Sequence, residues 1–262
     1  MQNFRDMMEF NCPEVQAYCE KNFELEIKNG RVRVNTKRFI EKYEPLLEKV
    51  KSEANELIQD ILEEYRFEEI FICFDGGKDG HVVLDLILKQ LSFDHNPNDE
   101  INVVAVIPDS SQEYDELQRI RLLTFKYNLM LSPCFYKDTD IKTALFQHEK
   151  KKPKNKIAFM GSRRTDYEHL KNSSKREPTD PTWPKLLRVY PILDWDYPTV
   201  WAYLLSEDIT YCSLYNNGYT SIGIKSKTKP NERLKVRLGD KEFYLPAYCL
   251  PSSSFERCES RI

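Results

Sequence analysis

Residues 69–88 constrain the fold more than any other stretch. They read Glu-Glu-Ile-Phe-Ile-Cys-Phe, then Asp75-Gly76-Gly77-Lys78-Asp79-Gly80, then His-Val-Val-Leu-Asp-Leu-Ile-Leu. The first run is short, apolar and strand-like, and the last carries apolar residues at Val82, Val83, Leu86 and Ile87 in helical spacing. The stretch therefore predicts strand, tight glycine turn and helix. Adjacent glycines let the backbone turn sharply and approach a ligand with no Cβ in the way, while the first N–H groups of the helix point into the turn. That combination suits a phosphate, and Lys78 adds a mobile positive charge. The spacing matches neither GxxxxGK[ST] nor GxGxxG.

The rest of the chain predicts an α/β fold around this turn. The run at 101–107 is almost wholly apolar, as a parallel strand covered on both faces should be, and it ends in Pro108-Asp109-Ser110. A helix over about 111–128, a strand near 130–136, a helix over 140–149 and a strand over 156–160 continue the alternation. This predicts a doubly wound, mostly parallel sheet. Ligands of such sheets lie beyond the carboxyl ends of the strands, which puts Ile107 and Asp109 on the rim of the glycine turn. The last strand runs into Gly161-Ser162-Arg163-Arg164-Thr165-Asp166 on the same rim, and two arginines with an aspartate there suit phosphates and their metal.

Upstream, 25–27 and 32–34 read as a hairpin about Asn29-Gly30, and 36–66 as a long amphipathic helix that Pro45 breaks or bends. Downstream, 178–192 reads as an irregular Pro-rich loop with an isolated Trp183. A helix follows, capped by Asp196 with Pro198 in its first turn. Then come a compact turn over 211–223, a basic exposed excursion over 225–241, and a tail with Arg257 and Arg261. One domain is expected over 1–262: a helical extension (1–68), a nucleotide-binding core (69–175) and a final segment (176–262).

Composition narrows the function. There are 39 basic and 42 acidic residues, a net charge of -3, which argues against a dedicated nucleic-acid or membrane binder. The amino terminus lacks the apolar stretch of a secretory signal, so a cytoplasmic protein is expected. The final Ser-Arg-Ile offers a peroxisome-like address as the minor alternative. Seven cysteines, odd in number and without a CxxC pair, fit reduced thiols better than a disulfide frame. The four histidines show no paired spacing, so a metal held by protein ligands alone is not expected.

Taken in order, the glycine turn, Gly-Ser-Arg-Arg-Thr-Asp, Thr-Asp-Pro-Thr-Trp-Pro, Leu-Arg-Val-Tyr-Pro-Ile-Leu-Asp-Trp, Tyr-Cys-Ser-Leu-Tyr-Asn-Asn-Gly-Tyr-Thr-Ser-Ile-Gly and Pro-Ala-Tyr with a closing Glu-Arg resemble the eukaryotic FAD synthetases. These are FMN adenylyltransferases of the PAPS-reductase-like, PP-loop superfamily. The resemblance implies that FMN and ATP give FAD and pyrophosphate with Mg²⁺. It further implies that Phe74, Asp75, Gly76, Gly77, Lys78 and Gly161 border the ATP phosphates, with Ile107 and Asp109 at adenine and ribose. Asp79 and Asp166 are implied as the carboxylates near Mg²⁺. Arg163 and Arg164 would face phosphate, Asp180, Trp183 and Arg188 would bound the flavin with Arg164 and Asp166 beside them, and Arg257 with Arg261 would close over the phosphates. The catalytic set implied is Lys78, Asp79, Arg164, Asp166 and Arg257. Its partners would be the small molecules ATP and FMN, acting on a monomer or weak oligomer.

Two departures stand out. The family's tail arginines are three apart, and here they are four apart. Asp75 replaces a small neutral residue, and a carboxylate about 4 Å from a triphosphate is repelled by on the order of 4 kcal/mol per charge pair at an effective dielectric near 20. A bridging Mg²⁺, a carboxylate turned away and an impaired site are the three arrangements left open. The competing readings are a flavin- or nucleotide-binding homologue without turnover and a PAPS-reductase-type enzyme. The latter needs a redox cysteine that Cys249 and Cys258 do not supply in the right motif.

Overall fold

The chain begins with strand β1 (Met8–Phe10) and helix α1 (Pro13–Asn22), which takes a proline in its first turn. The computed structural model describes residues 8–28, 31–91 and 100–257. Helix α1 was not expected, because its sequence alternates polar and apolar residues with little periodicity; Val15 and Cys19 bury its inner side. The hairpin follows as β2 (Glu24–Lys28) and β3 (Arg31–Asn35), pairing Leu25 with Val34 and Ile27 with Val32. Its Asn29-Gly30 turn lies outside the described residues.

Helix α2 (Lys37–Glu64) runs on through Pro45, so of the two outcomes expected there the break does not occur. An internal proline costs about 3 kcal/mol. The buried stripe of Phe39, Leu47, Ala54, Leu57, Ile58 and Ile61 offsets that loss.

The central part follows the expected alternation. It runs β4 (Ile70–Cys73), α3 (Lys78–Leu91), β5 (Ile101–Ile107), α4 (Asp115–Tyr127), β6 (Leu131–Lys137), α5 (Ile141–Lys151), β7 (Ile157–Met160), β8 (Arg176–Pro178) and β9 (Leu187–Val189). The sheet order is β6-β5-β4-β7-β9-β8, parallel except for β8 at one edge. The middle strands carry β-branched and aromatic residues on both faces, and Ile70, Phe71, Ile72, Ala158 and Phe159 are all buried. Pro133 falls in β6, an edge strand, where the loss of a backbone donor is tolerated. Successive strands β5 and β6 lie to one side of β4 and β7 to the other, so the order reverses at β4. That reversal places the glycine turn at the switch point of the sheet.

Strands β8 and β9 correct the reading of 178–192 as irregular. Each is only three residues long, too short for an alternation to reveal it. Leu187 and Val189 extend the parallel sheet beside β7.

Helix α6 (Tyr197–Ser206) starts as expected, with the Asp196 carboxylate accepting from the Thr199 N–H and Pro198 in the first turn. Strands β10 (Lys235–Leu238) and β11 (Lys241–Tyr244) form a hairpin that pairs with β1. The expected exposed excursion over 225–241 is thus partly a folded anchor: Leu234 and Val236 are buried, and Asn231 Nδ2 donates to the Phe255 carbonyl at 2.8 Å. Residues 48–195 form one unit, and residues 1–47 with 196–262 form the other. Among the described residues no helix is long and apolar enough to cross a membrane.

Candidate functional site

The glycine turn leaves the end of β4 and enters α3 at Lys78. Phe74, the first residue past the strand, still donates its N–H to the Val104 carbonyl at 2.9 Å. Its ring packs edge-on to His81 and Phe125, so this side chain is core. Gly76 has φ of +92°, a conformation that only glycine adopts without strain. The Asp75 carboxylate is exposed and folds back over the turn, with Oδ1 accepting the Gly77 N–H at 2.7 Å. The Asp75 carboxylate thus closes an Asx-type turn that engages an amide of the loop itself. His81 Nδ1 lies 2.9 Å from the Gly77 carbonyl, so that nitrogen carries the proton. Burial of His81 pushes its pKa down, against the opposing pull of that hydrogen bond and the Asp75 charge. At the end of β4, burial pushes the Cys73 thiol up to about 12, leaving it protonated and unreactive.

A chain of alternating charges runs from this turn to the loop after β7. Lys78 Nζ sits 2.7 Å from Asp79 Oδ2, Arg163 Nε 2.9 Å from Asp79 Oδ1, and Arg163 Nη2 3.0 Å from Asp166 Oδ1. The Arg163 backbone N–H also donates to Asp166 Oδ2 at 2.7 Å. Lys78, Arg163 and Asp166 are almost completely buried, an arrangement that holds only because each charge meets its opposite. Gly161 lets the two loops close on one another: a Cβ there would lie 2.9 Å from the Asp79 carbonyl carbon and 3.0 Å from the Gly80 nitrogen. Thus Gly76, Gly77, Lys78, Asp79, Gly161, Arg163 and Asp166 come together.

The other residues singled out in the sequence are held elsewhere or by partners of their own. Arg164 departs from its expected pairing with Arg163. Its Nε reaches Asp194 Oδ1 at 2.7 Å and its Nη1 donates to the carbonyls of Lys171 and Ser173. The two arginines sit at the start of a turn closed by the Asp166 N–H donating to the Arg163 carbonyl at 2.9 Å, and their side chains take separate partners. Ile107 is buried at the end of β5, and Asp109 caps the following turn through the Ser111 N–H at 3.0 Å. Asp180 is exposed, and its carbonyl accepts the Trp183 N–H at 2.9 Å. Trp183 packs against the cluster of Phe71, Val104, Tyr136, Ala144, Leu145 and Leu186, with Lys142 Nζ 5.6 Å from its ring centre. Arg188 pairs with Glu177 at 3.1 Å. Arg257 is half-buried just after the turn at Ser253–Phe255, and Arg261 lies outside the described residues.

Sequence reasoning missed Arg121, Glu113, His81 and Asp194. The one available signal was Arg121 four residues after Leu117, a cation on the buried stripe of α4. No three His, Cys, Asp or Glu side chains converge as a metal cage among the described residues. The donors that do converge, Asp79 and Asp166 on one guanidinium, are hard oxygens. They suit a cation that takes only one or two carboxylates and fills its other positions with phosphate and water.

Residues 69–230 match the family model described as the phosphoadenosine phosphosulfate reductase domain. A probable FAD synthase of Caenorhabditis elegans is 34% identical over 209 residues, covering 79% of this chain and 39% of that protein. The chain thus spans about two-fifths of the length of that relative. A probable FAD synthase of Schizosaccharomyces pombe is 33% identical over 204 residues, covering 76% of this chain and 74% of that one. In fold, the chain is similar to the crystal structure of Candida glabrata FMN adenylyltransferase, with a TM-score of 0.74 at 19% identity over 95% of this chain and 93% of the other. On the match at 69–230 and the coverage of the Schizosaccharomyces protein, the chain belongs to the FAD synthase family, on a phosphoadenosine phosphosulfate reductase domain.

Proposed function

We propose that the chain is an FMN adenylyltransferase, which moves AMP from ATP onto the phosphate of FMN and releases pyrophosphate. The observation that carries this reading is the run of charges Lys78, Asp79, Arg163 and Asp166 beside a glycine turn at the switch point of the sheet. In the reaction a phosphate oxygen of FMN forms a bond to the α-phosphorus, and the bond to the bridging oxygen of the β-phosphate breaks. FMN phosphate is already an anion at neutral pH, so no general base is needed and no proton moves in the bond-forming step. Catalysis then rests on alignment and on charge placed in advance.

The turn at Gly76 and Gly77 is assigned to the β and γ phosphates, with the Gly76 N–H as a donor, and Lys78 supplies a cation beside them. Arg163 holds Asp79 and Asp166 at one spacing. Bound Mg²⁺ would supply charge neutralisation on the phosphates, with Asp79 and Asp166 as its protein ligands. Ile107 and Asp109 are assigned to adenine and ribose, and Asp180, Trp183 and Arg188 to the flavin. Arg164 and Arg257, with Arg261, carry phosphate roles on the family resemblance alone. The cytoplasm as location and a monomer or weak oligomer as working form belong to the same proposal.

The test is release of pyrophosphate from ATP and Mg²⁺ with and without FMN, with the flavin product separated by chromatography. FMN-dependent release with FAD formed is the expected result. Trp183→Ala should raise the KM for FMN and leave that for ATP nearly unchanged; equal effects would remove Trp183 from the flavin site. One observation favours a second reading, a nucleotide-binding protein without turnover: the Asp75 carboxylate engages the Gly77 amide that a phosphate would use. Tight ATP binding with no pyrophosphate released would establish that reading instead.

A further inference from the structure

The buried cation on α4 has no place in the reaction as described. Arg121 is 2% exposed and stands four residues after Leu117 on the inner side of the helix. One end of its guanidinium, Nη2, pairs with Glu113, itself largely buried, and the other, Nη1, donates to the Asp75 carbonyl at 2.7 Å. Burying an arginine is costly unless its donors meet acceptors, so a fork that reaches one carboxylate and one loop carbonyl has a defined task.

The Asp75 carbonyl belongs to the peptide that leads into Gly76. That peptide is planar and trans, so its C=O and N–H point in opposite directions. Holding the oxygen toward α4 therefore aims the Gly76 N–H away from α4. Helix α4 is the back wall of the loop: a Cβ on Gly76 would lie 3.2 Å from Leu117 Cδ1 and 3.6 Å from Arg121 Cβ. A peptide next to a glycine at φ +92° has little of its own to stop it turning over, because glycine accepts both signs of φ. With the Gly77 amide engaged by Asp75, the orientation of the Gly76 amide decides how much donor the loop presents.

We propose that Arg121 is a positioning residue for the phosphate loop, pinning the Asp75 carbonyl so that the Gly76 N–H faces the nucleotide, with Glu113 steadying its guanidinium. The inference rests on the reading of this loop as the ATP phosphate site. Its chemistry asks for a di- or triphosphate and does not depend on what accepts the adenylyl group.

The experiment measures the Kd of MgATP by calorimetry, without FMN, for the parent chain and for Arg121→Leu, Arg121→Lys and Glu113→Gln, with melting temperatures alongside. Arg121→Leu should weaken ATP binding about tenfold, whereas Glu113→Gln, which keeps the bond to the Asp75 carbonyl, should stay within about threefold. Both break the same ion pair, so their melting temperatures should fall together. Arg121→Lys should recover part of the affinity, and it carries the test alone if Arg121→Leu does not fold. Parent-like affinity in either Arg121 variant, or equal losses in Arg121→Leu and Glu113→Gln, would overturn the proposal. ATP binding by the parent without FAD formation would sink the adenylyltransferase reading and leave this one standing. No ATP binding by the parent would end both.

Discussion

The loop after β4 and the loop after β7 leave adjacent strands that pair in register, Cys73 beside Met160, yet they are held by different means. The first is held through its backbone: Asp75 takes the Gly77 N–H, His81 the Gly77 carbonyl and Arg121 the Asp75 carbonyl. The second is held through side-chain charge, with Arg163 between Asp79 and Asp166 and Arg164 on Asp194. A phosphate loop keeps small residues and strong local bonds because its amides are the binding groups. Its neighbour is free to use long side chains because its task is to set charges. Loss of one side chain should therefore damage the second loop through stability and the first through affinity.

The sharpest way to break this comparison is Asp166→Ala. It leaves Arg163 buried beside Asp79 alone and should cost on the order of 3 kcal/mol in a urea unfolding experiment; a loss under half that would mean the charges contribute little to holding the loop. Next comes Gly161→Ala, which forces a Cβ against the backbone of α3. About 1–3 kcal/mol should be lost, with weaker ATP binding as the first turn of α3 shifts. The smallest residue in the second loop would then matter to the first.

A pH series separates the loops further. Burial lowers the pKa of His81 below its ordinary 6.5, so the folded form holds fewer protons than the unfolded one. The stability this preserves is present above the unfolded pKa and is lost as pH falls below it, by up to about 1.4 kcal/mol per pH unit for one group. Burial shifts His148 the same way, so the difference between the parent chain and His81→Gln isolates the loop's share. Identical pH slopes in the two would show that His81 does not titrate with folding. Smaller still, Arg164→Ala should cost about 0.5–1 kcal/mol, since its ion pair with Asp194 is partly solvated, while the buried neighbour Arg163 tolerates no such change. The smallest expected effect is Asp75→Asn. An amide oxygen can still accept the Gly77 N–H, so the turn stays while a negative charge leaves, and kcat/KM for ATP should rise about threefold because the exposed carboxylate is already screened by water. An unchanged or lower value would show that the charge at Asp75 is not a handicap.

The parts of the molecule legible from sequence are those where one residue type answers one physical demand. Gly76 and Gly77 announced the turn, the unbroken apolar run of 101–107 announced a buried parallel strand, and Asp196 before Pro198 announced a helix start. The parts that escaped depend on partners distant in the chain. Strand β9 is three residues long and becomes a strand only by pairing with β7. The anchor at Asn231 and Val236 exists through Phe255 and through β1. The site divides the same way. The aspartate and two arginines of 161–166 could be seen to belong at a strand end, but that Arg163 would turn inward while Arg164 turned to Asp194 was set by packing. Little in the local sequence set Arg121 apart, because its partners Glu113 and Asp75 are joined to it only by the fold.

The in-register pairing of β4 with β7 also sets what kinds of genetic change this protein can absorb. Asp79 stands six positions past Cys73 and Asp166 six past Met160, the last residues of the two strands, so the strands act as a common ruler for the two carboxylates. An amino acid inserted or deleted within β7 would turn every later side chain to the opposite face and carry Arg163 off its partners. Substitutions can be tried here one by one; changes of length cannot.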